Sequence, residues 1–211
     1  LSSGVEKYGA ESAVGIIMNP NTGEILSLAN FPDYDPANYE GFSAESRRNR
    51  AITDTYEPGS TIKSIVLASL FDQKLVTENE LVNTENGRYT IRNAKITDTH
   101  PHQYLTVREV LEKSSNIGMS KLSTRINDDV LYKYLRDFGF NNPGSVELPG
   151  EANGFLKKPS NFNFLTKPFI SFGYEISVTP LQMITAFSAL INGGIIYKPF
   201  IVKEVKDYKG N

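Results

Sequence analysis

The sequence predicts an α+β domain in which an antiparallel sheet is flanked by helices, because one early β-hairpin is followed by several stretches with helical periodicity. The hairpin is predicted over residues 13–29, where two apolar segments flank the turn Asn19-Pro20-Asn21-Thr22-Gly23. Two helices carry clear start signals, the capping box Thr106–Glu109 and the pair Thr179-Pro180. No linker divides the chain, so a single domain over residues 1–211 is predicted.

The other elements are predicted in chain order from periodicity, caps and breakers. Asp128 or Asp129 is expected to cap one helix, and Gly139 to end it. The predicted elements are a short helix within 47–54, a helix over 60–75, a ribbon within 85–97, helices from 106, over 117–126, over 128–138 and over 181–192, and an extended segment over 195–205.

Composition excludes several classes of function. The 211 residues are 39% hydrophobic and 22% charged, which is typical of a globular protein with a core. The net charge is −2, so no nucleic-acid partner is predicted. Cysteine is absent, which excludes disulfides and thiol catalysis. The only histidines, His100 and His102, are predicted to lie in a loop, and neither a metal nor a cofactor is expected.

The first candidate site is Ser60-Thr61-Ile62-Lys63, which follows Glu57-Pro58-Gly59. Pro58 and Gly59 end a loop, so Ser60 is predicted near a helix N-terminus, with Lys63 one turn later on the same face. A serine hydroxyl becomes a good nucleophile when a neighbouring base takes its proton, and a buried lysine loses its charge readily enough to be that base. Ser-x-x-Lys alone also arises by chance.

The second candidate site is Ser114-Ser115-Asn116, at the predicted end of the helix that begins at Thr106. One interpretation is a helix terminus rich in cap-forming residues. The other is a Ser-x-Asn triplet, in which the Ser114 hydroxyl relays a proton and the Asn116 amide orients Lys63 and a substrate carbonyl. The residues themselves leave both interpretations open. The basic residues Arg47, Arg48 and Arg50 likewise allow binding of acidic groups or, for Arg50 with Asp54, a structural pair.

Together these segments resemble a known family, the penicillin-binding proteins, and within it the transpeptidase domain of the class B type. The segments that carry the resemblance occur in the family's order: residues 18–26 with its opening hairpin, 49–63 with its nucleophile segment, 105–118 with its second motif, and 172–182 with its late helix entry. The last segment is similar to the cell-division, or septal, subgroup. The resemblance implies the serine β-lactamase and transpeptidase fold, with a largely helical lobe.

The resemblance also implies a function and its residues. The implied activity is peptidoglycan D,D-transpeptidation, in which Ser60 attacks a D-Ala-D-Ala bond and forms an acyl-enzyme. Lys63 would accept the serine proton, Ser114 would pass a proton to the leaving D-alanine, and Asn116 would hold Lys63 and the substrate. The implied substrate-binding residues are Ser115, Gly173 and Tyr174.

Partners and location follow from the same resemblance. Stem peptides ending in D-Ala-D-Ala would be the substrates, and β-lactams would be covalent inhibitors of Ser60. The expected location is extracytoplasmic, in a parent protein anchored by an N-terminal membrane helix and associated with division-complex membrane proteins.

One departure from the family pattern is that the 211 residues contain no Lys-Thr-Gly and no Lys-Ser-Gly. In the family this motif lies on a later strand and binds the substrate carboxylate, so the chain is expected to be a fragment with an incomplete sheet. Two alternatives therefore stay open. One is a hydrolytic relative, a D,D-carboxypeptidase or β-lactamase, and the other is a penicillin-sensing or scaffold domain without turnover.

Overall fold

A computed structural model describes residues 1–144 and 146–209. The helices are α1 Ser2–Tyr8, α2 Arg50–Thr53, α3 Lys63–Asp72, α4 Val107–Glu112, α5 Asn116–Ser123, α6 Asp128–Asp137, α7 Thr166–Ile170 and α8 Pro180–Ile191. The strands are β1 Ala13–Met18, β2 Ile25–Phe31, β3 Leu81–Asn83, β4 Arg88–Ile91, β5 Ala94–Thr97, β6 Tyr104–Thr106, β7 Phe155–Leu156 and β8 Ile176–Ser177. None of the described helices is both long and apolar enough to span a membrane.

The chain divides into two compact units, of which the first contains Leu1–Tyr56, Asn142–Gly154 and Val178–Asn211. Its sheet is the predicted hairpin, in which β1 and β2 pair antiparallel with a bulge between Ile17 and Met18. In the described residues β1 pairs with β2 alone, so it is an edge strand rather than the interior strand that its apolar sequence suggests. Ile17 and Leu26 are about 60% exposed, which leaves apolar surface on this hairpin.

Helices α2 and α8 cover β1 and enclose the core of the first unit. The buried centre is formed by Ala51, Ile52, Val146 and Leu181. The arginine cluster is structural in part: Arg50 pairs with Glu45 at 2.6 Å and with Asp54 at 3.1 Å. These two carboxylates raise the pKa of Arg50 above its ordinary value, so the predicted Arg50–Asp54 pair is confirmed.

The second unit contains Glu57–Asn141 and Phe155–Ser177. Helix α3 packs on α5 and α6, and α5 also contacts α4 and α7. The three strand pairs of this unit, β3 with β6, β4 with β5, and β7 with β8, are all antiparallel. The fully buried apolar side chains on the three packed helices are Ile65, Val66 and Leu70 of α3, Ile117, Met119 and Leu122 of α5, and Leu131 and Leu135 of α6.

Most predicted elements are confirmed, and the differences have local causes. Thr106 and Thr179 form the capping boxes of α4 and α8. The helix predicted over 60–75 is instead a 3-10 turn, Gly59–Ile62, followed by α3. Asn127 caps α6, because its side chain accepts from the Asp129 amide, so the prediction of Asp128 or Asp129 as cap is wrong. Residues 195–205 contribute one bridge, between Phe200 and Glu24, rather than a strand.

Candidate active site

The Lys63 side chain is the centre of the candidate site. It is 1% exposed, at the first position of α3. Its Nζ donates hydrogen bonds to the Ser114 carbonyl oxygen at 2.6 Å, the Ser114 Oγ at 3.0 Å and the Asn116 Oδ1 at 2.7 Å. The structure thus brings Lys63 together with two predicted residues that lie 51 and 53 positions away in the sequence.

The environment of Lys63 changes its acid–base behaviour. Burial lowers the pKa of Lys63 from 10.5 to about 8, because the charged form loses its hydration, while the negative charge of Asp98 opposes part of that decrease. An ammonium has three N–H donors, and here all three directions lead to acceptors. A neutral amine keeps two donors and gains a lone pair that can accept a proton. Lys63 therefore changes between the two forms as the pH passes through about 8.

Ser60 lies within the 3-10 turn that leads into α3, and its side chain is exposed. Within residues 1–144 and 146–209 its hydroxyl forms no hydrogen bond to another protein group. In a 3-10 turn residues three apart eclipse, so Ser60 and Lys63 face the same side. The hydroxyl is thus accessible to a ligand on the face that carries the buried amine.

Ser114 has a left-handed backbone conformation, with φ 54°. Such a conformation is unfavourable for a residue other than glycine and occurs often at functional sites. It follows the end of α4, where the Ser114 amide donates to the Leu111 carbonyl. The conformation lets both the carbonyl and the hydroxyl of Ser114 reach Lys63 Nζ.

Asp98 is a residue of the site that the sequence analysis missed. Its carboxylate accepts hydrogen bonds from the Ser115 Oγ at 2.5 Å, from the backbone N–H of Asn116 at 2.7 Å and from the backbone N–H of Ile117 at 3.0 Å. It thereby satisfies the free amides at the start of α5 and fixes the segment that presents Asn116 to Lys63. The only sequence signal is an acidic residue directly after a strand, which does not specify a partner 17 to 19 positions away.

Ser115 lies beneath the site rather than on it. It is 1% exposed, and its hydroxyl donates to Asp98 and accepts from the Gly118 amide at 2.9 Å. A side chain engaged in this way has no free face for a ligand. We therefore assign Ser115 a positioning role, as the cap of α5, in place of the predicted contact with substrate.

Gly173 and Tyr174, the last two predicted residues, lie in a turn against the Ser60 segment. The Gly59 amide donates to the Gly173 carbonyl at 3.3 Å, and both glycines have positive φ. A Cβ at Gly173 would lie 2.1 Å from the Gly59 carbonyl oxygen, so only glycine fits this contact. Tyr174 is 48% exposed, and its ring centre lies 5.7 Å from that of the buried Phe172. Gly173 therefore supports the Ser60 turn, whereas Tyr174 is half-exposed beside it.

Asp98 is expected to raise the pKa of Lys63 as well as to fix the first residues of α5. In Asp98→Asn the negative charge that raises the pKa of Lys63 is lost, so the pH midpoint of any reaction needing neutral Lys63 should move below its wild-type value. The rate should also fall by about ten- to a hundredfold, because Asn116 loses its orientation. The rate measured at a series of pH values between 6 and 10 gives both quantities.

Asp137→Asn, at the exposed end of α6, is the matched control for that experiment and should change neither quantity. A slower Asp98→Asn variant with an unshifted pH midpoint would mean that Asp98 acts on geometry alone.

Comparison with known proteins identifies the family. The sequence-family model named penicillin binding protein transpeptidase domain matches residues 13–211 of this chain. The peptidoglycan D,D-transpeptidase FtsI of Buchnera aphidicola is 37% identical over 205 residues, which is 97% of this chain and 36% of that protein. The stage V sporulation protein D of Bacillus subtilis is 34% identical over 207 residues, 97% of this chain and 32% of that protein.

Solved structures agree with the sequence comparison. The TP domain of penicillin-binding protein 3 from Burkholderia pseudomallei superposes with a TM-score of 0.87 at 32% identity, covering 97% of this chain and 57% of that one. The chain belongs to the penicillin-binding protein transpeptidase domain family, and the predicted family and α+β fold are confirmed. It spans about a third of the length of the curated relatives named above, 36% and 32%.

Proposed function

We propose that this chain carries the acylation site of a peptidoglycan D,D-transpeptidase that acts through a serine acyl-enzyme. The observation that carries the proposal is the buried Lys63 amine, held by Ser114 and Asn116 at 2.6–3.0 Å, three residues after the exposed Ser60. Its lowered pKa, about 8, suits a group that must accept a proton near neutral pH. Membership of the family and the names of the relatives support the same activity.

In the proposed reaction Ser60 Oγ attacks the carbonyl carbon of the D-Ala-D-Ala peptide bond, and its proton passes to the neutral amine of Lys63. The backbone amide of Ser60 is proposed as one donor to the developing oxyanion. The tetrahedral intermediate then breaks its C–N bond, and the leaving D-alanine nitrogen takes a proton through Ser114, whose hydroxyl contacts Lys63 Nζ.

The resulting ester is then resolved by an amine. The amine of a second stem peptide attacks the ester carbonyl, Ser60 leaves and regains its proton, and an amide cross-link forms. A β-lactam is proposed to acylate Ser60 in the same manner and to remain attached. The group that binds the substrate carboxylate is not assigned to any residue of this chain, because the 211 residues contain no Lys-Thr-Gly.

Location and partners follow as part of the proposal. The substrates lie outside the cytoplasmic membrane, so the site is proposed to face the periplasm or the outer surface of that membrane, in a membrane-anchored parent. A role with division-complex membrane proteins is proposed from the similarity of residues 172–182 to the septal subgroup. The domain boundaries are proposed to enclose residues 1–211 as part of one transpeptidase domain.

The activity is tested by covalent labelling. The protein that carries this sequence, at its full length, is incubated with a fluorescent penicillin, and the label is followed over hours. We expect stable labelling, and its complete loss in Ser60→Ala, because the acyl bond needs the serine oxygen. Label that is lost within minutes would identify a hydrolase instead, and a wild-type protein that takes no label would contradict the proposal.

A second step distinguishes transfer from sensing. The protein is supplied with a donor peptide ending in D-Ala-D-Ala and an acceptor peptide with a free amine, and the products are identified by mass spectrometry. Cross-linked peptide is expected. Labelling by penicillin without any cross-linked or hydrolysed product would favour a sensor.

A further inference from the structure

Glu175 occupies an unusual place beside the Ser60 segment. It follows Tyr174 and directly precedes β8, and its backbone is left-handed with φ 58°. A side chain is unfavourable in this conformation, where glycine is preferred. A glutamate at such a position persists only when its surroundings hold it there.

Two side chains hold the Glu175 carboxylate. Lys157 forms an ion pair with its Oε2, and the Thr166 hydroxyl donates to the same oxygen at 3.0 Å. Thr166 is fully buried, and Lys157 and Glu175 are only 25% and 29% exposed. Strand β7 ends at Leu156, which pairs with Ile176, so Lys157 and Glu175 are the residues that directly follow and precede this last pair. We call this ion pair and hydrogen bond the Glu175 clamp.

The turn held by the clamp contacts the residues just before Ser60 at two points. The Glu175 amide donates to the Glu57 Oε1 at 3.3 Å, and the Gly173 carbonyl accepts from the Gly59 amide at 3.3 Å. Beyond Gly173, the buried Phe172 packs with Ile96 and Ile117. The turn is therefore fixed at one end by apolar packing and at the other by the clamp.

We propose that Glu175, held by Lys157 and Thr166, is a positioning residue. It keeps the turn 173–175 in contact with Glu57 and Gly59 and thereby fixes the position of Ser60 relative to Lys63. The inference rests on the proposed acylation by Ser60. A displacement of about 1 Å at a nucleophile can lower a rate a hundredfold. Breaking this partly exposed ion pair is therefore expected to change the reaction rate through the position of Ser60.

The test combines two single variants and their double variant in the full-length protein. Glu175→Gln keeps the length of the side chain but loses its charge, and Lys157→Met removes the partner. Each is expected to lower the rate of penicillin acylation about tenfold. The double variant should also be slower by about tenfold rather than about a hundredfold, because both changes break one interaction. The non-covalent affinity for penicillin should stay the same.

A second readout does not depend on acylation. Hydrogen–deuterium exchange of residues 57–61 should become faster in both single variants, because the Gly59 amide loses its fixed partner. Lys133→Met, which breaks the exposed Lys133–Asp137 pair of α6, is the matched control and should change neither readout.

The outcomes separate this inference from the proposed function. If wild-type protein takes no label, the acylation proposal fails, and the exchange measurement alone decides whether the clamp holds the turn. Unchanged exchange over 57–61 would overturn the inference, as would rate losses that multiply in the double variant or that follow a lower melting temperature.

Discussion

Replacing Lys63 by methionine is expected to slow the acylation of Ser60 by a penicillin at least about a hundredfold. General base catalysis contributes about 10²–10⁴ to a rate, and the Lys63 amine is the base in the proposed reaction. Methionine fills a similar volume, so the packing of the start of α3 should be kept. The measurement is the second-order rate of labelling of Lys63→Met beside wild type. A variant that is acylated at the wild-type rate would rule out Lys63 as the base.

The pH dependence of the wild-type rate tests the same role without a mutation. The pKa of Lys63 is lowered to about 8, and only the neutral amine can accept the serine proton. The rate should therefore rise as the pH increases through about 8 and level off above it. Lys133→Met, at an exposed lysine, should show the same curve. A rate that is flat from pH 6.5 to 9.5 would contradict the assignment.

The lowered pKa of Lys63 also affects the stability of the fold. Between pH 8 and 10.5 the unfolded chain holds this proton and the folded protein does not, so the stability contributed by this residue rises with pH across that window. Below pH 8 both states are charged, so the fold is less stable there than above pH 10.5, where both states are neutral. Urea unfolding of wild type and Lys63→Met at pH 7 and pH 10 should show this rise in stability with pH in the wild type alone, which separates the titration of Lys63 from a general loss of the fold.

Elements with local sequence signals were predictable. The capping boxes at Thr106 and Thr179 need only residues three apart, and both are formed as expected. The hairpin of β1 and β2 follows likewise from its turn residues and flanking apolar segments. The sequence predicts Ser60 near a helix start, and the structure places it in a 3-10 turn. Gly59, the first residue of that turn, donates a hydrogen bond to the Gly173 carbonyl, and the local sequence does not specify this long-range contact.

The supporting parts of the site were not predictable from the sequence. Asp98 reaches Ser115 and Asn116 only after the β4–β5 ribbon and α5 have packed together. The left-handed Glu175 contradicts local preference, since nothing in its neighbours predicts a positive φ. The family resemblance implies that Ser115 contacts substrate, whereas its burial and its hydrogen bond to the Gly118 amide make it the cap of α5. Burial and long-range contacts decide these roles, and neither is encoded in residue spacing.

Replacing Gly173 by alanine is expected to destabilise the second unit by about 2–3 kcal/mol or more. The new Cβ would lie 2.1 Å from the carbonyl oxygen and 2.3 Å from the nitrogen of Gly59, which are backbone atoms that cannot rotate away. Alanine is also strained at the Gly173 φ of 94°. Because the displaced segment precedes Ser60, acylation should fall as well, by more than about tenfold.

Gly139→Ala separates the clash from the strain, because Gly139 has nearly the same φ, 95°, and has no atom within 4 Å of the position where a Cβ would lie. It is expected to cost only about 1 kcal/mol and to leave the labelling rate unchanged. Urea unfolding and penicillin labelling of the two variants give the comparison. Equal losses of stability in both would mean that backbone strain alone acts at Gly173. A larger loss at Gly173, accompanied by slower labelling, would establish that the close contact of the two glycine backbones holds the Ser60 turn in its reactive position.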